Sequence, residues 1–441
     1  MNAGDQVRSD VALLYRRAGF GARPDELDAA VEAGYEATVD QLLTPRPDPG
    51  VDGVADPVLT LPSASDLKDP TQRRQAVSAA RAEEPDLVTW WLRRMTLAAS
   101  PFPEKATLFW HGHFATAIMK VQLPALMYRQ NQLFRTMGTG AFDALTLAAA
   151  RDPAMLIWLD AASDHKADPN ENFGRELMEL FTLGLGNYTE DDVKAAARAF
   201  TGWRLDPGTW QFALVARDHD NSAKSFLGTT GNLTGEDVIT IATHHPASAR
   251  WVVSRVWSHF AYPVTPAAPL LDDLVAAYGG GLDLAALFRA VFMHPEFRAA
   301  SSRAGLVKQP IEYVVGALRA LAPHTMLPGA RPDLSGPARA VLTALGQVPF
   351  DPPNVGGWPQ NAYWLTTASA LARLRFAVLL SRAADLSGLA AQAPADRPAY
   401  AARLLGIDRW SPTTAAVLSD AAEVPASLMT LALVSPEYVV N

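Results

Sequence analysis

Residues 170–184 read Asn170-Glu171-Asn172-Phe173-Gly174-Arg175-Glu176-Leu177-Met178-Glu179-Leu180-Phe181-Thr182-Leu183-Gly184. Phe173, Leu177, Leu180 and Phe181 recur at i, i+4, i+7 and i+8, which is one stripe of an α-helix. Glu171, Arg175 and Glu179 recur at i, i+4 and i+8 on a second, charged face. Asp168-Pro169-Asn170-Glu171 has the D-x-x-E form of a capping box, so the stretch predicts a helix with its apolar stripe turned to a core.

The same periodicity extends in both directions. Val11, Leu14 and Tyr15, then Leu27, Val31 and Leu42–Leu43, predict N-terminal helices. Pro45–Ser65 is rich in Pro, Gly and Asp and reads as a loop. Amphipathic helices follow from Glu84 to Met137, punctuated by Pro101, Pro103 and Pro124 at positions where a first helical turn tolerates proline. Asp152-Pro153, Thr189 with Asp192, and Thr234 with Asp237 are further helix starts. Trp210–Leu227, with Phe212, Leu214 and Val215, reads as a short hairpin. Pro323–Pro337, Gly346–Pro359 and Gln392–Pro398 read as Pro/Gly-rich loops. The expectation is a mainly α fold: a large multi-helix orthogonal bundle with long Pro/Gly-rich loops and one short β-hairpin. It forms one domain over 1–441, with N-terminal helices 8–43, loop 44–65, helical core 84–384 and C-terminal helices 397–438.

Of the 441 residues, 49% are apolar and 19% charged, enough to build a sizeable core. The net charge is −8 and no run of Lys/Arg occurs, so no nucleic-acid partner is expected. The absence of cysteine removes disulfides, thiolate metal sites and Cys nucleophiles. No apolar run reaches the roughly 18–20 residues of a membrane span. Met1–Leu14 lacks the basic start and apolar stretch of a secretory signal, so a cytoplasmic location is expected. No Walker A loop, G-x-G-x-x-G fingerprint or nucleophile elbow is present, so no nucleotide cofactor is expected.

A series of blocks is more specific. Phe109-Trp110-His111-Gly112-His113-Phe114 comes first, then Asn170–Gly184. Ala199-Phe200-Thr201-Gly202-Trp203, His219-Asp220 with Lys224, and His245-Pro246-Ala247-Ser248-Ala249-Arg250 follow. Lys308-Gln309-Pro310-Ile311-Glu312 and Pro353-Asn354-Val355-Gly356-Gly357-Trp358-Pro359 complete it. In this order the blocks resemble a large bacterial family called domain of unknown function eighteen-hundred, over about Leu13 to Tyr438. The resemblance implies no agreed activity. It does imply a neighbouring protein related to sulfatases and alkaline phosphatases, and members that often carry an export signal, which this sequence lacks.

The residue types still suggest chemistry. Asn170, Glu171, Arg175 and Glu176 at a helix start can act as catalytic groups, the carboxylates as acid, base or metal ligand and Arg175 as an anion grip. Their bland alternative is a ladder of surface ion pairs. His111, His113, His219, Asp220 and His245 are the candidate ligands for a divalent metal ion. His111 and His113, two apart, point about 200° away from each other on a helix, and the H-E-x-x-H spacing is absent. A Glu104–His111 pairing is geometrically allowed. His219-Asp220 sits in a polar loop whose plain role is a turn, and His245-Pro246 marks a helix start. The loop tryptophans Trp203, Trp210, Trp358 and Trp364 are either buried anchors or an exposed binding surface. Two functions are therefore expected as alternatives. One is a metal- or carboxylate-assisted hydrolase acting on an anionic ester or glycan-linked group. The other is a non-catalytic binding or maturation partner of the sulfatase-like neighbour.

Overall fold

The computed structural model describes residues 3–162 and 164–440, so the expected limits 1 and 441 lie outside the described residues. The chain is mainly α, 61% helix and 5% strand. Helices Ala3–Ala18, Pro24–Ala33 and Tyr35–Leu43 fill the N-terminal segment, and Thr367–Ala383 is the longest of the later ones. Helix Pro70–Arg81 adds to the expected set: it is polar, buries only Ala80 and is capped by Asp69, so it carries almost no apolar stripe for a sequence reading to detect. No helix is long and apolar enough to cross a membrane among the described residues.

Prolines and caps act as the sequence suggests. Pro101 and Pro103 flank the start of Phe102–His113, and Pro124 opens Pro124–Met137. Asp152, Thr189, Thr234 and His245 each accept a backbone N–H at a helix start, and the two threonines form full capping boxes with Asp192 and Asp237. The helix at Glu171 differs. Its cap is Asn170, whose side chain accepts from the Asn172 N–H at 2.9 Å while its amide donates to the Leu159 carbonyl at 2.9 Å. Asp168 is not the cap; it pairs with His165 in an isolated bridge one turn earlier.

That helix also changes pitch. Glu171–Glu176 is α-helical and Leu177–Thr182 is π-helical. The wider turn shifts the phase of the buried stripe. Phe173, Leu177 and Phe181 are buried as expected, but Met178 takes the place of Leu180, which stays half-buried.

There are two hairpins where one was expected. Strand β1 (Trp203–Asp206) pairs with β2 (Gln211–Leu214), and β3 (Lys224–Phe226) with β4 (Thr229–Gly231). The first uses the end of the Ala199–Trp203 block as its partner strand. The second closes through Leu227-Gly228, both at positive φ (45° and 80°), the backbone that a two-residue hairpin turn needs.

The apolar side chains gather in two clusters. One combines the N-terminal helices with most of residues 102–297, the other combines 54–97 and 311–439 with part of 108–154. Phe102–His113 belongs to both: Phe102, Phe109 and Trp110 face the first cluster and Leu108 the second. A helix shared in this way has no free face, which places its polar residues at a seam.

Candidate functional site

The polar residues of that seam form two groups on opposite sides of Phe102–His113. Glu104, 2% exposed, is enclosed by donors. It accepts from the Trp91 indole at 2.9 Å, from Arg94 at 2.9 Å and from Arg135 at 3.0 and 2.7 Å. Burial pushes its carboxyl up, but Arg135 and Arg94 outweigh this and hold it below the usual glutamate range. Glu104 is therefore fully engaged and does not pair with His111. His111 instead packs against Trp91, Phe134 and Phe350 and accepts from the Asn131 amide at 3.1 Å. His113 faces the other way, against Phe109, Phe114 and Phe181, as the 200° separation requires.

His113 lines the pocket at the centre of the seam. Leu108, Phe109, Gly112 and His113 come from Phe102–His113, Arg255 and His259 from Pro246–Phe260, and Gln309, Trp358 and Gln360 from the two loops before and after the Pro310–Leu321 and Ser335–Leu345 helices. Arg255 and His259 are one turn apart on the half-buried face of their helix, while Val252, Val256, Trp257 and Phe260 hold the other faces in the core. The Gly356-Gly357-Trp358 turn can reach Gly112 only because position 357 lacks a side chain. A Cβ there would lie 2.2 Å from the Gly112 carbonyl oxygen, and its φ is +85°. The free volume is small, about 20 Å³, room for a water-sized group such as one oxygen of an anion seated at the mouth, and not for a sugar or a nucleotide.

The lining contains no carboxylate. Arg255 has neither a hydrogen bond nor an ion pair among the described residues; its guanidinium lies 5.8 Å from the Trp251 ring centre. Burial lowers its pKa, but a guanidinium stays charged. The buried atoms His113 Nδ1, His259 Nε2 and Trp358 Nε1 have no partner. The other nitrogen of His113, Nε2, lies 3.0 Å from the Phe181 carbonyl oxygen. A carbonyl only accepts, so Nε2 carries the proton and Nδ1 presents a lone pair. Phe181 and Leu180 end the π-helical turn, where carbonyls lack intrahelical partners. His113 caps the first, and the Trp251 indole caps the second at 2.9 Å.

Burial pushes the His111, His113 and His259 imidazoles down to about 3, with Arg135 adding to the effect at His111, Arg255 at His113 and Lys105 at His259. Each is neutral in the fold, whereas in the unfolded chain it protonates near pH 6.5. Each thus adds stability above pH 6.5 that is lost as the pH falls towards 3. Asp152, pushed up to about 7 by burial, acts in the opposite sense between about 4 and 7. In a ¹⁵N NMR titration we expect these three imidazoles to remain neutral down to about pH 4, and titration of any of them near 6.5 would contradict its dry environment.

The other candidates lie elsewhere. Arg175 is held by Glu190 at 2.8 Å and by Glu171 at 3.2 Å in an exposed ladder. Glu176 is half-buried beside Glu179; burial, helped by that neighbour, raises its carboxyl. His219 donates through Nδ1 to the Thr201 carbonyl at 2.8 Å. Asp220 is bound by Arg198 at 2.7 Å and by the Ser222 N–H at 2.8 Å, while Lys224 donates to the Asp220 and Ser222 carbonyls. This loop is thereby clasped to Thr201 and Arg198. His245 caps Pro246–Phe260, accepting from the Ala247 N–H at 3.2 Å. Of the catalytic and metal candidates only His113 lines the pocket, and no three His, Asp or Glu side chains gather to hold a metal ion among the described residues. Trp203, Trp358 and Trp364 are buried anchors; the Trp364 indole bonds the Pro359 carbonyl and the half-buried Trp210 indole bonds Pro62, both at 2.9 Å.

Arg255, His259, Gln309 and Gln360 were not singled out as site residues in the sequence, and Trp358 only as one of the loop tryptophans that could form a binding surface. Gln309 and Trp358 sit inside two of the quoted blocks, and Arg255 and His259 are polar at i, i+4 in an otherwise apolar helix. Those were the available signals.

Fold and pocket together define a mainly α-helical protein with a small, carboxylate-free polar pocket at the seam of two cores. The chain belongs to the family described as Protein of unknown function (DUF1800), which matches residues 13–440. No curated protein and no solved structure matches it.

Proposed function

We propose that the protein recognises a small oxyanion in the pocket between Phe102–His113 and Pro246–Phe260. The observation that carries this reading is Arg255, a half-buried guanidinium without a counter-ion among the described residues, in a pocket whose lining holds no carboxylate. Such a charge, partly shielded from water and facing the pocket, is open to an anionic ligand. An oxyanion pairs with it through charge-assisted hydrogen bonds, with the Trp358 indole as a further donor. Inorganic oxyanions are what a sulfatase- or phosphatase-like partner would release, so the partner expectation is compatible with this ligand.

Hydrolysis of an anionic ester at the same pocket is the second reading. It is favoured by the single tautomer of His113, whose Nδ1 lone pair is oriented by the Phe181 carbonyl; an imidazole pushed down to about 3 is a weak base, so hydrolysis there would be slow. Calorimetric titration of the full chain with sodium phosphate and sodium sulfate tests the first reading, and no heat with either at millimolar concentration would end it. Release of p-nitrophenol from its phosphate or sulfate ester would establish the second.

A further inference from the structure

Resting on that reading, we infer that the pocket selects an oxyanion that still carries a proton, hydrogen phosphate in preference to sulfate. The argument is the balance of donors and acceptors. Arg255 and the Trp358 N–H donate, and a fully deprotonated anion could satisfy both. His113 does not donate. Its one proton is committed to the Phe181 carbonyl at 3.0 Å, and Nδ1 is a buried lone pair without a partner. His113 is 3% exposed and lies in the pocket wall, so the missing donor has to come from a group inside the pocket, a water in the free protein or the ligand when it is bound.

A lone pair facing an oxygen lone pair is repulsive; a lone pair facing an O–H is a hydrogen bond. Inorganic phosphate keeps at least one proton at neutral pH, as mono- or dianion. Sulfate keeps none, although its size and shape are nearly the same. The His259 imidazole and the Gln309 and Gln360 amides of the lining can turn either a donor or an acceptor to the ligand and so favour neither anion; the discrimination comes from the fixed His113 acceptor and not from the volume of about 20 Å³. Sites that pair every polar group of one ligand reject an isostere that leaves one unpaired far more strongly than sites that measure size. The capping of the π-helical turn acquires a second consequence: by taking the His113 proton, the Phe181 carbonyl sets which ligand His113 accepts.

The test is calorimetric titration of the full chain at pH 7 with inorganic phosphate, sulfate and methyl phosphate. The ester has lost most of its last proton at that pH, since its second pKa is about 6, and should follow sulfate. Phosphate is expected to bind at least about tenfold more tightly than either. His113→Phe keeps the ring and removes the acceptor, and should bring the three affinities together. The wild-type ratios decide the matter even if that variant fails to fold. Equal binding of phosphate and sulfate, tighter sulfate, or methyl phosphate binding as well as inorganic phosphate would overturn the inference while leaving oxyanion recognition intact. Binding of none of the three removes the underlying reading, and the inference with it.

Discussion

Arg255→Met is expected to reduce phosphate binding by at least about thirtyfold without lowering the melting temperature. The two halves of this result have one cause. Arg255 has no acidic partner among the described residues, and its surroundings are dry enough to lower its pKa. Removing one partner of a buried charged contact typically costs about 2–5 kcal/mol in binding, and about 1.4 kcal/mol corresponds to each factor of ten. In the free protein the substitution leaves no donor or acceptor unpaired; it gives up only the weak contact of the guanidinium with the Trp251 ring, 5.8 Å away. Methionine keeps an unbranched apolar stem against Trp251 and removes a half-buried charge that has no ion pair among the described residues, so stability changes little. Calorimetry and thermal melts of the two proteins measure both halves. Unaltered affinity would place the ligand elsewhere, and a large fall in melting temperature would show that Arg255 supports the fold.

The second large effect lies on the opposite side of the same helix. Glu104→Ala is expected to destabilise the protein by about 3–5 kcal/mol, because it strands Arg94 and Arg135 and leaves the Trp91 indole without its acceptor. Those arginine side chains are only 18% and 13% exposed, so water replaces the carboxylate poorly. Glu104→Gln, which keeps an acceptor but not the charge, should fall in between. The effect has a defined pH dependence. With the Glu104 carboxyl held below its ordinary value of 4.5, its contribution is fully present above that pH and is lost as the pH falls through the lower folded value. Urea unfolding at pH 7 and at about pH 3 should therefore show a smaller gap between wild type and variant at the acid end. An equal gap at both would mean that packing, not charge, is what Glu104 contributes.

Most of the helical architecture was legible because helix signals are local. Pro101, Pro124 and Pro246, the Thr189 and Thr234 boxes and the 3.6-residue stripes involve residues within a few positions of one another. The misses have the same explanation in reverse. Pro70–Arg81 has no apolar stripe. The π-helical turn that moves Met178 inward is not encoded by any spacing of apolar residues. The pairing of β1 with β2 depends on a segment that reads as the end of a helix.

The site was much less legible. Most of the carboxylates and imidazoles singled out by type sit in caps, clasps and surface pairs, His111 packs among aromatic rings and only His113 lines the pocket, because Asp, Glu and His serve the backbone as often as chemistry. The quoted blocks did mark the pocket, since His113, Gln309 and Trp358 come from three of them and meet there.

By itself, then, the amino-acid order determined the helical class, most helix starts and the family of this protein, all of which rest on neighbours along the chain. Which polar groups are paired was decided only by the tertiary structure. Arg175 and Arg255 are the same side chain on the same kind of helix. One finds Glu171 and Glu190 within reach, and the other faces a wall of imidazole, amide and indole assembled from segments up to about a hundred or more positions away. Charge and hydrogen bonding act through space and fall off over a few ångströms, so whether a cation is a surface ornament or an unfilled receptor depends on distances that one-dimensional order does not contain.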